Sequence, residues 1–401
     1  MPGPLSGIRV IELAHVMAGP VCGLMLGDMG ADVVKVERLP NGDSSRAFLP
    51  PEVRGESAAF MMLNRGKRGI ALDLRAEEGR SVVRRLVASA DVIVENFRAG
   101  TMERMGLGYD ELAALNDRVV YCQITGYGRT GPLSHQGGFD LIAQGYSGLM
   151  SVTGEAPGRT PVKVGAPVTD IAAGILAAFG VVSALFERTR TGKGQRVDTS
   201  LLEAGITQTY WQSAIVLAAG VSPGPLGTAH PLAAPYQAFA TADGWINIGA
   251  SNEATWTRLT EALGVPELRE DERFRNNADR MAHLDELVGM LAPYFIESST
   301  ESWLERLEDA GVPAGPVASV GEMLEHPQTR ARQMVIEVEH AEAGTVRALG
   351  MPVKMSGSES TFPADPGPGA PMLGQHTREV LLEAGFRDLD VDRLIGTRIA
   401  R

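Results

Sequence analysis

Gly7-Ile8-Arg9-Val10-Ile11-Glu12-Leu13 reads as a buried strand and residues 20–29 as the helix after it. The Gly30-Ala31-Asp32 turn then leads into a second strand, Val33-Val34-Lys35-Val36-Glu37. Two short apolar runs joined by a helix predict a βαβ unit, because parallel strands need a crossover. The logic repeats downstream: residues 68–74 read as strand, 76–88 as helix, 91–97 as strand and 118–124 as a further buried strand. The alternation predicts an α/β fold built on a parallel, doubly wound sheet.

Ligands gather beyond the carboxyl ends of the strands in such sheets. Here those ends read Glu37-Arg38, Asp73-Leu74-Arg75, Asn96-Phe97-Arg98 and Thr125-Gly126-Tyr127-Gly128, which are polar, basic and aromatic groups rather than plain turn residues. No GxGxxG follows the first strand and no GxxxxGK[ST] occurs, so neither a dinucleotide fingerprint nor a P-loop is indicated. Ala18-Gly19-Pro20 stands in that place.

A glycine-rich loop over residues 129–138 precedes a second informative stretch, Pro167-Val168-Thr169-Asp170-Ile171-Ala172-Ala173-Gly174-Ile175-Leu176-Ala177-Ala178-Phe179. The apolar run from Asp170 to Phe186 has no proline and reads as a helix, expected to be buried all round and too short to span a membrane. Asp170 at its start reads either as a cap or as a carboxylate kept ionised by the positive helix end and available as a nucleophile. The residues alone leave both open. A basic turn, residues 188–195, a strand at 196–199 and an apolar helix through Ala218 complete this region.

The pattern changes after Val221-Ser222-Pro223-Gly224-Pro225. Tyr236-Gln237-Ala238-Phe239 and Trp245-Ile246-Asn247-Ile248-Gly249 flank an Asp243-Gly244 turn as a hairpin, and helices are expected near 252–263, 279–295 and 301–310. Residues 334–355 read as another hairpin, and a Pro/Gly-rich linker over 363–371 leads to a helix over 377–384 with His376 or Thr377 near its cap. The expected domains are 1–220, 225–325 as a small α+β domain, and 326–401 as a linker and C-terminal part.

With 37 Lys and Arg against 49 Asp and Glu, the net charge of −12 argues against nucleic acid and anionic membranes as partners. Residues 1–110 are locally neutral, with 14 of each sign, a balance that reads either as an ordinary solvated surface or as a place for an anionic ligand. Cys22 and Cys122 form no CxxC or Cys/His pattern, and the seven histidines show no ligand pair, so no disulfide framework or metal site is expected. The first residues carry no basic-then-apolar signal segment, which points to a cytoplasmic protein.

Taken in order, Leu5-Ser6-Gly7-Ile8-Arg9-Val10-Ile11-Glu12-Leu13, Met17-Ala18-Gly19-Pro20, residues 26–38, Asn64-Arg65-Gly66-Lys67-Arg68, Val94-Glu95-Asn96-Phe97-Arg98, Gly126-Tyr127-Gly128, Thr191-Gly192-Lys193-Gly194-Gln195, residues 311–317 and Leu373-Gly374-Gln375-His376-Thr377 resemble the class III (CaiB/BaiF-type) CoA-transferases. The resemblance implies that Asp170 is the catalytic aspartate, which attacks an acyl-CoA thioester to give a mixed anhydride and then an aspartyl-CoA thioester. It implies that Met17, Ala18, Arg38, Leu72, Asp73, Leu74, Arg75, Asn96, Phe97, Arg98 and Arg104 hold CoA, which is a substrate; no permanently bound cofactor or metal is expected. Backbone N–H groups near the helix start would stabilise oxyanions. His15 is expected to be a satisfied buried residue.

The family also contains 2-methylacyl-CoA racemases, in which a histidine precedes an aspartate in the loop upstream of the helix. That position is Phe139 in Gly137-Gly138-Phe139-Asp140, which cannot carry a proton, and His135 lies four residues earlier. Transferase is therefore the leading expectation, racemase the alternative, and a CoA-binding protein without turnover a third. Gly227-Thr228-Ala229-His230-Pro231 and the Pro235–Phe239 segment resemble the branch using succinyl-CoA with short dicarboxylates, with His230 a candidate for the distal carboxylate. The resemblance further implies a Rossmann-like large domain made from both chain ends, an inserted small domain and an interlocked homodimer.

Overall fold

Six parallel strands form the sheet that the alternating sequence predicts. The computed structural model describes residues 3–358 and 367–401, so residues 363–366 of the expected linker lie outside the described residues. The strands are β1 (Arg9–Glu12), β2 (Asp32–Arg38), β3 (Arg68–Leu72), β4 (Val92–Glu95), β5 (Val120–Thr125) and β6 (Arg196–Ser200), hydrogen-bonded in the order β3-β2-β1-β4-β5-β6. Ile11 of β1 pairs with Val34 of β2 on one side and Ile93 of β4 on the other. The chain order reverses at β1, and the crevice of such a sheet opens there. Every residue of β4 and β5 is buried, as expected of parallel strands covered on both faces.

Helix α1 (Ala18–Asp28) follows β1, α2 (Glu77–Val87) follows β3, and α3 (Asp140–Tyr146) and α4 (Val168–Thr191) lie between β5 and β6. One face of α4, including Ala173, Ala177, Val181, Ala184 and Arg188, is buried. Gly174 is required there, because a Cβ would stand 2.6 Å from the Ala18 carbonyl oxygen of α1. The expectation of a helix buried all round is corrected: Phe179 and Phe186 are 71% and 66% exposed, and Ile175 is also exposed. The expected length is corrected too. At 24 residues α4 is long and apolar enough to cross a membrane by composition alone, yet its buried stripe is packed into the core between α1 and the sheet.

The chain divides into two units, residues 1–149, 164–208 and 327–401 in one, and 150–163 and 209–326 in the other. The second is larger than the 225–325 reading because residues 150–163 and 209–224 belong to it; the Gly227 N–H, for instance, donates to the Gly154 carbonyl at 2.9 Å. Its sheet pairs Tyr236–Ala240 with Trp245–Gly249, the expected hairpin, and adds Ala314–Pro316 as a third antiparallel strand. Helices Glu253–Leu263, Leu284–Phe295 and Thr300–Asp309 bury Trp256, Phe295 and Trp303 beside it. The helix Tyr210–Ala219 buries none of its residues.

In the first unit the hairpin Val335–His340 with Gly344–Leu349 forms as read, and the chain end returns to β3. The Arg401 N–H donates to the Ala71 carbonyl and the Asp73 N–H to that of Ile399. His376 is the N-cap residue of the helix Thr377–Glu383, as read, but its side chain makes no capping hydrogen bond. The His376 Nδ1 accepts from the Gly69 N–H at 3.0 Å and the Thr377 hydroxyl from the Ala71 N–H at 3.2 Å, fastening the helix to the sheet edge. A further helix, Asp388–Gly396, had not been expected.

Candidate active site

Where β1 and β4 end, the chain leaves the sheet on both sides of the switch point, and two adjoining cavities open. The first, about 650 Å³, is lined by Ala14 and His15, the Val36–Asp43 turn, Asp73 to Arg75, Arg80 and Phe97. The second, about 370 Å³, is lined by His15 to Ala18, Asn96 to Ala99, Thr125, Gly126, the Gln136–Phe139 loop and Asp170. His15, Phe97 and Thr101 face both.

Asp170 sits in the first turn of α4 and its carboxylate accepts no hydrogen bond from the described residues. It is not the cap. Asp140, thirty residues earlier, takes that part: its Oδ1 accepts from the Thr169 N–H at 2.9 Å and the Thr169 hydroxyl at 2.7 Å, while its Oδ2 accepts from Gln144 at 2.7 Å. Burial and then the Asp140 carboxylate push the Asp170 carboxyl up to about 7, against the expectation of a side chain held fully ionised by the helix end. The N–H groups at the helix start are also largely taken, Val168 by Ala166 O, Thr169 by Asp140 and Ile171 by Pro167 O. Gly137 and Gly138 line the cavity instead. Gly126 and Gly138 cross so closely that a Cβ on Gly126 would lie 2.6 Å from the Gly138 Cα, so neither position has room for a side chain.

The expected CoA-holding residues divide. Arg38, Asp73, Leu74, Arg75 and Phe97 line the first cavity; Met17, Ala18, Asn96, Phe97 and Arg98 line the second with Asp170. Arg38 donates to the Gly42 carbonyl and the Ser44 hydroxyl, and Arg75, largely exposed, pairs with Asp73 at 2.9 Å. Asn96 has its amide occupied by main chain: it donates to His15 O at 2.9 Å and accepts from His15 N–H at 3.0 Å. Arg98 is exposed, packs against Gly137 and donates to no described residue, leaving a guanidinium open to an anion in the cavity that Asp170 also lines. Two expected residues lie elsewhere. The Leu72 side chain is fully buried in the core, and Arg104 is exposed on the surface, bonded to Thr101.

Phe139, 73% exposed, lines the Asp170 cavity. His230 belongs to the other unit, where its ring lies 5.2 Å from that of Tyr236 and 6.2 Å from that of Trp211. His15 was underestimated: it is half-buried, rests on Phe97 at 5.5 Å between ring centroids, and faces both cavities. Burial foremost lowers its pKa, so the ring is neutral at neutral pH. Its place immediately after a buried strand was the sequence signal for a site residue.

Residues 5–377 match the profile of CoA-transferase family III. A succinate–glutarate CoA-transferase of Agrobacterium fabrum is 40% identical over 95% of this chain and 95% of its own length. An acetyl-CoA:oxalate CoA-transferase of Acetobacter aceti is 39% identical over 93% and 94%. A CAIB/BAIF family protein from Brucella suis, known from its crystal structure, superposes with a TM-score of 0.84 at 40% identity, covering 96% of this chain and all of that one.

Proposed function

The chain belongs to CoA-transferase family III, and from that premise we propose that it moves CoA from succinyl-CoA to a short dicarboxylate through Asp170. The observation that carries the reading is the unpartnered Asp170 carboxylate in a cavity adjoining a second, larger one bordered by Arg38 and Arg75. The larger cavity suits the nucleotide end of CoA, with guanidinium groups for phosphates and apolar groups for adenine. The thioester then reaches past His15 and Phe97 to Asp170.

Asp170 attacks the thioester carbonyl, the carbon–sulfur bond breaks, and CoA leaves as the thiolate, giving a mixed anhydride. The thiolate attacks the Asp170 acyl carbon, releasing the donor carboxylate and leaving an aspartyl-CoA thioester. The acceptor carboxylate attacks that thioester to form a second anhydride, and the returning thiolate takes the acceptor acyl group and frees Asp170. Covalent catalysis thus divides the exchange into feasible steps. Arg98 supplies positive charge beside these oxyanions. A proton-shuttling racemase is disfavoured because Phe139 carries no proton.

Relatives named for glutarate, those of Mus musculus and Homo sapiens beside the Agrobacterium fabrum one, support a five-carbon dicarboxylate ahead of oxalate. We also assign the protein to an interlocked homodimer, which would cover the exposed Phe179 and Phe186 of α4 and the apolar Tyr210–Ala219 helix.

The test is incubation with succinyl-CoA in D₂O, with and without a pool of acids including glutarate and oxalate, followed by mass analysis of the CoA esters. Glutaryl-CoA is the expected product. No transfer to any acid, with deuterium entering a 2-methylacyl-CoA control, would replace the reading by the racemase one.

A further inference from the structure

The segment that walls both cavities, Ala14-His15-Val16, lies beyond the end of β1, so its main-chain groups have no ladder partners and must be satisfied otherwise. Three polar side chains from three other elements do this, one for each residue. Lys35 of β2 donates from Nζ to the Ala14 carbonyl at 2.9 Å. Asn96, after β4, brackets His15 by accepting from its N–H at 3.0 Å and donating to its carbonyl at 2.9 Å. The Asp43 carboxylate accepts from the Val16 N–H at 3.0 and 3.2 Å.

Val16 itself has φ of +66°. Among the described residues four non-glycine residues take a positive φ, and Val16 is the β-branched one of the four, the type that least tolerates it. Such a conformation persists only where its surroundings over-determine it. The surroundings here are themselves fixed from below. Lys35 and Asp43 are buried and pair at 2.9 Å; Glu12, also buried, pairs with Lys35 at 3.0 Å and with Lys67 at 2.8 Å; and the Asp43 Oδ1 takes the Ser45 N–H and hydroxyl as well.

From this arrangement we infer that Lys35, Asp43 and Asn96 are positioning residues that hold Val16 in its left-handed conformation, so that His15 keeps its place between the CoA cavity and the Asp170 cavity and Met17 its place in the wall of the latter. None of the three needs to touch the reacting atoms. The buried charge cluster thereby has a task in catalysis beyond filling the core. The inference rests on the transferase reading for its activity assay, and CoA binding provides a readout that does not.

The test is a double-mutant cycle. Glycine adopts a positive φ without the steric cost that valine meets, so it needs no clamp. D43A is measured in the wild-type and in the V16G backgrounds for kcat, KM and the Kd of CoA by calorimetry. Expected is a loss of about tenfold in kcat and in CoA affinity from D43A beside Val16, reduced to about threefold or less in the V16G background. A loss of the same size in both backgrounds would overturn the inference. Where D43A folds poorly because it orphans the Lys35 ammonium, K35M/D43A removes both charges and is carried through the same cycle, with the same criterion. If the parent protein transfers CoA to no acid, the transferase reading falls, and the CoA affinities of the same variants still decide the clamp.

Discussion

Replacing Asp170 by asparagine is expected to abolish turnover and, at the same time, to stabilise the fold by an amount set by pH. Burial, and after it the Asp140 carboxylate, raise the Asp170 carboxyl from 3.8 to about 7. At about 1.4 kcal/mol for each tenfold in proton affinity, the ionised group costs the fold roughly 4 kcal/mol. Its partial contact with solvent trims that to about 2–4 kcal/mol. Because the folded state holds the proton more tightly than the unfolded state, stability is full below pH 3.8, declines between 3.8 and about 7, and is level above. D170N titrates in neither state, so its advantage over the parent is absent near pH 4, grows across that window and saturates above pH 7. Urea unfolding of both proteins at about pH 4.5, 6 and 8 measures the gap, provided unfolding is two-state. A gap that does not change with pH, or a D170N protein less stable than the parent at pH 8, would refute the reasoning.

Other consequences are more local. The pH profile of kcat/KM is expected to fall on the acid side below about 7 as Asp170 protonates, and D140N, which keeps an amide oxygen for the Thr169 N–H, moves that limb to lower pH. Asp28 and Arg65 form a buried bidentate pair at 2.5 and 2.7 Å, so R65A strands a carboxylate that burial already raises and costs about 3–5 kcal/mol in urea unfolding. G126A forces a methyl group against the Gly138 Cα; turnover is expected to fall at least about tenfold while the circular dichroism spectrum stays that of the parent, because the crossing loops line the Asp170 cavity rather than the core.

The sheet was legible because its strands are short apolar runs at crossover spacing, and the polar ends of β2, β3, β4 and β5 marked the cavities. Residues whose role depends on partners distant in sequence were not legible. Asp140 caps α4 from 29 residues away, through the Thr169 N–H, and nothing local to either residue signals it. Glu12 and Lys35 lie in apolar runs and Lys67 beside one, and nothing in those runs says that the three charges meet in the interior. The composition of α4 reports how apolar it is, and cannot say which part of that surface its own unit covers; hence the all-round burial expected for Phe179 and Phe186 was wrong for the chain by itself. Leu72 shows the opposite limit. A family pattern carries a position, but the side chain at that position points into the core.

The central claim is that Asp170 becomes the carrier of CoA. Brief exposure to succinyl-CoA, acid quenching, proteolysis and mass spectrometry of the peptide containing residue 170 test it directly. The account predicts a peptide heavier by CoA less one water, lost on adding hydroxylamine or an acceptor acid and absent from D170N. Product acyl-CoA formed at full rate by D170N, or the same adduct on another residue, would contradict it.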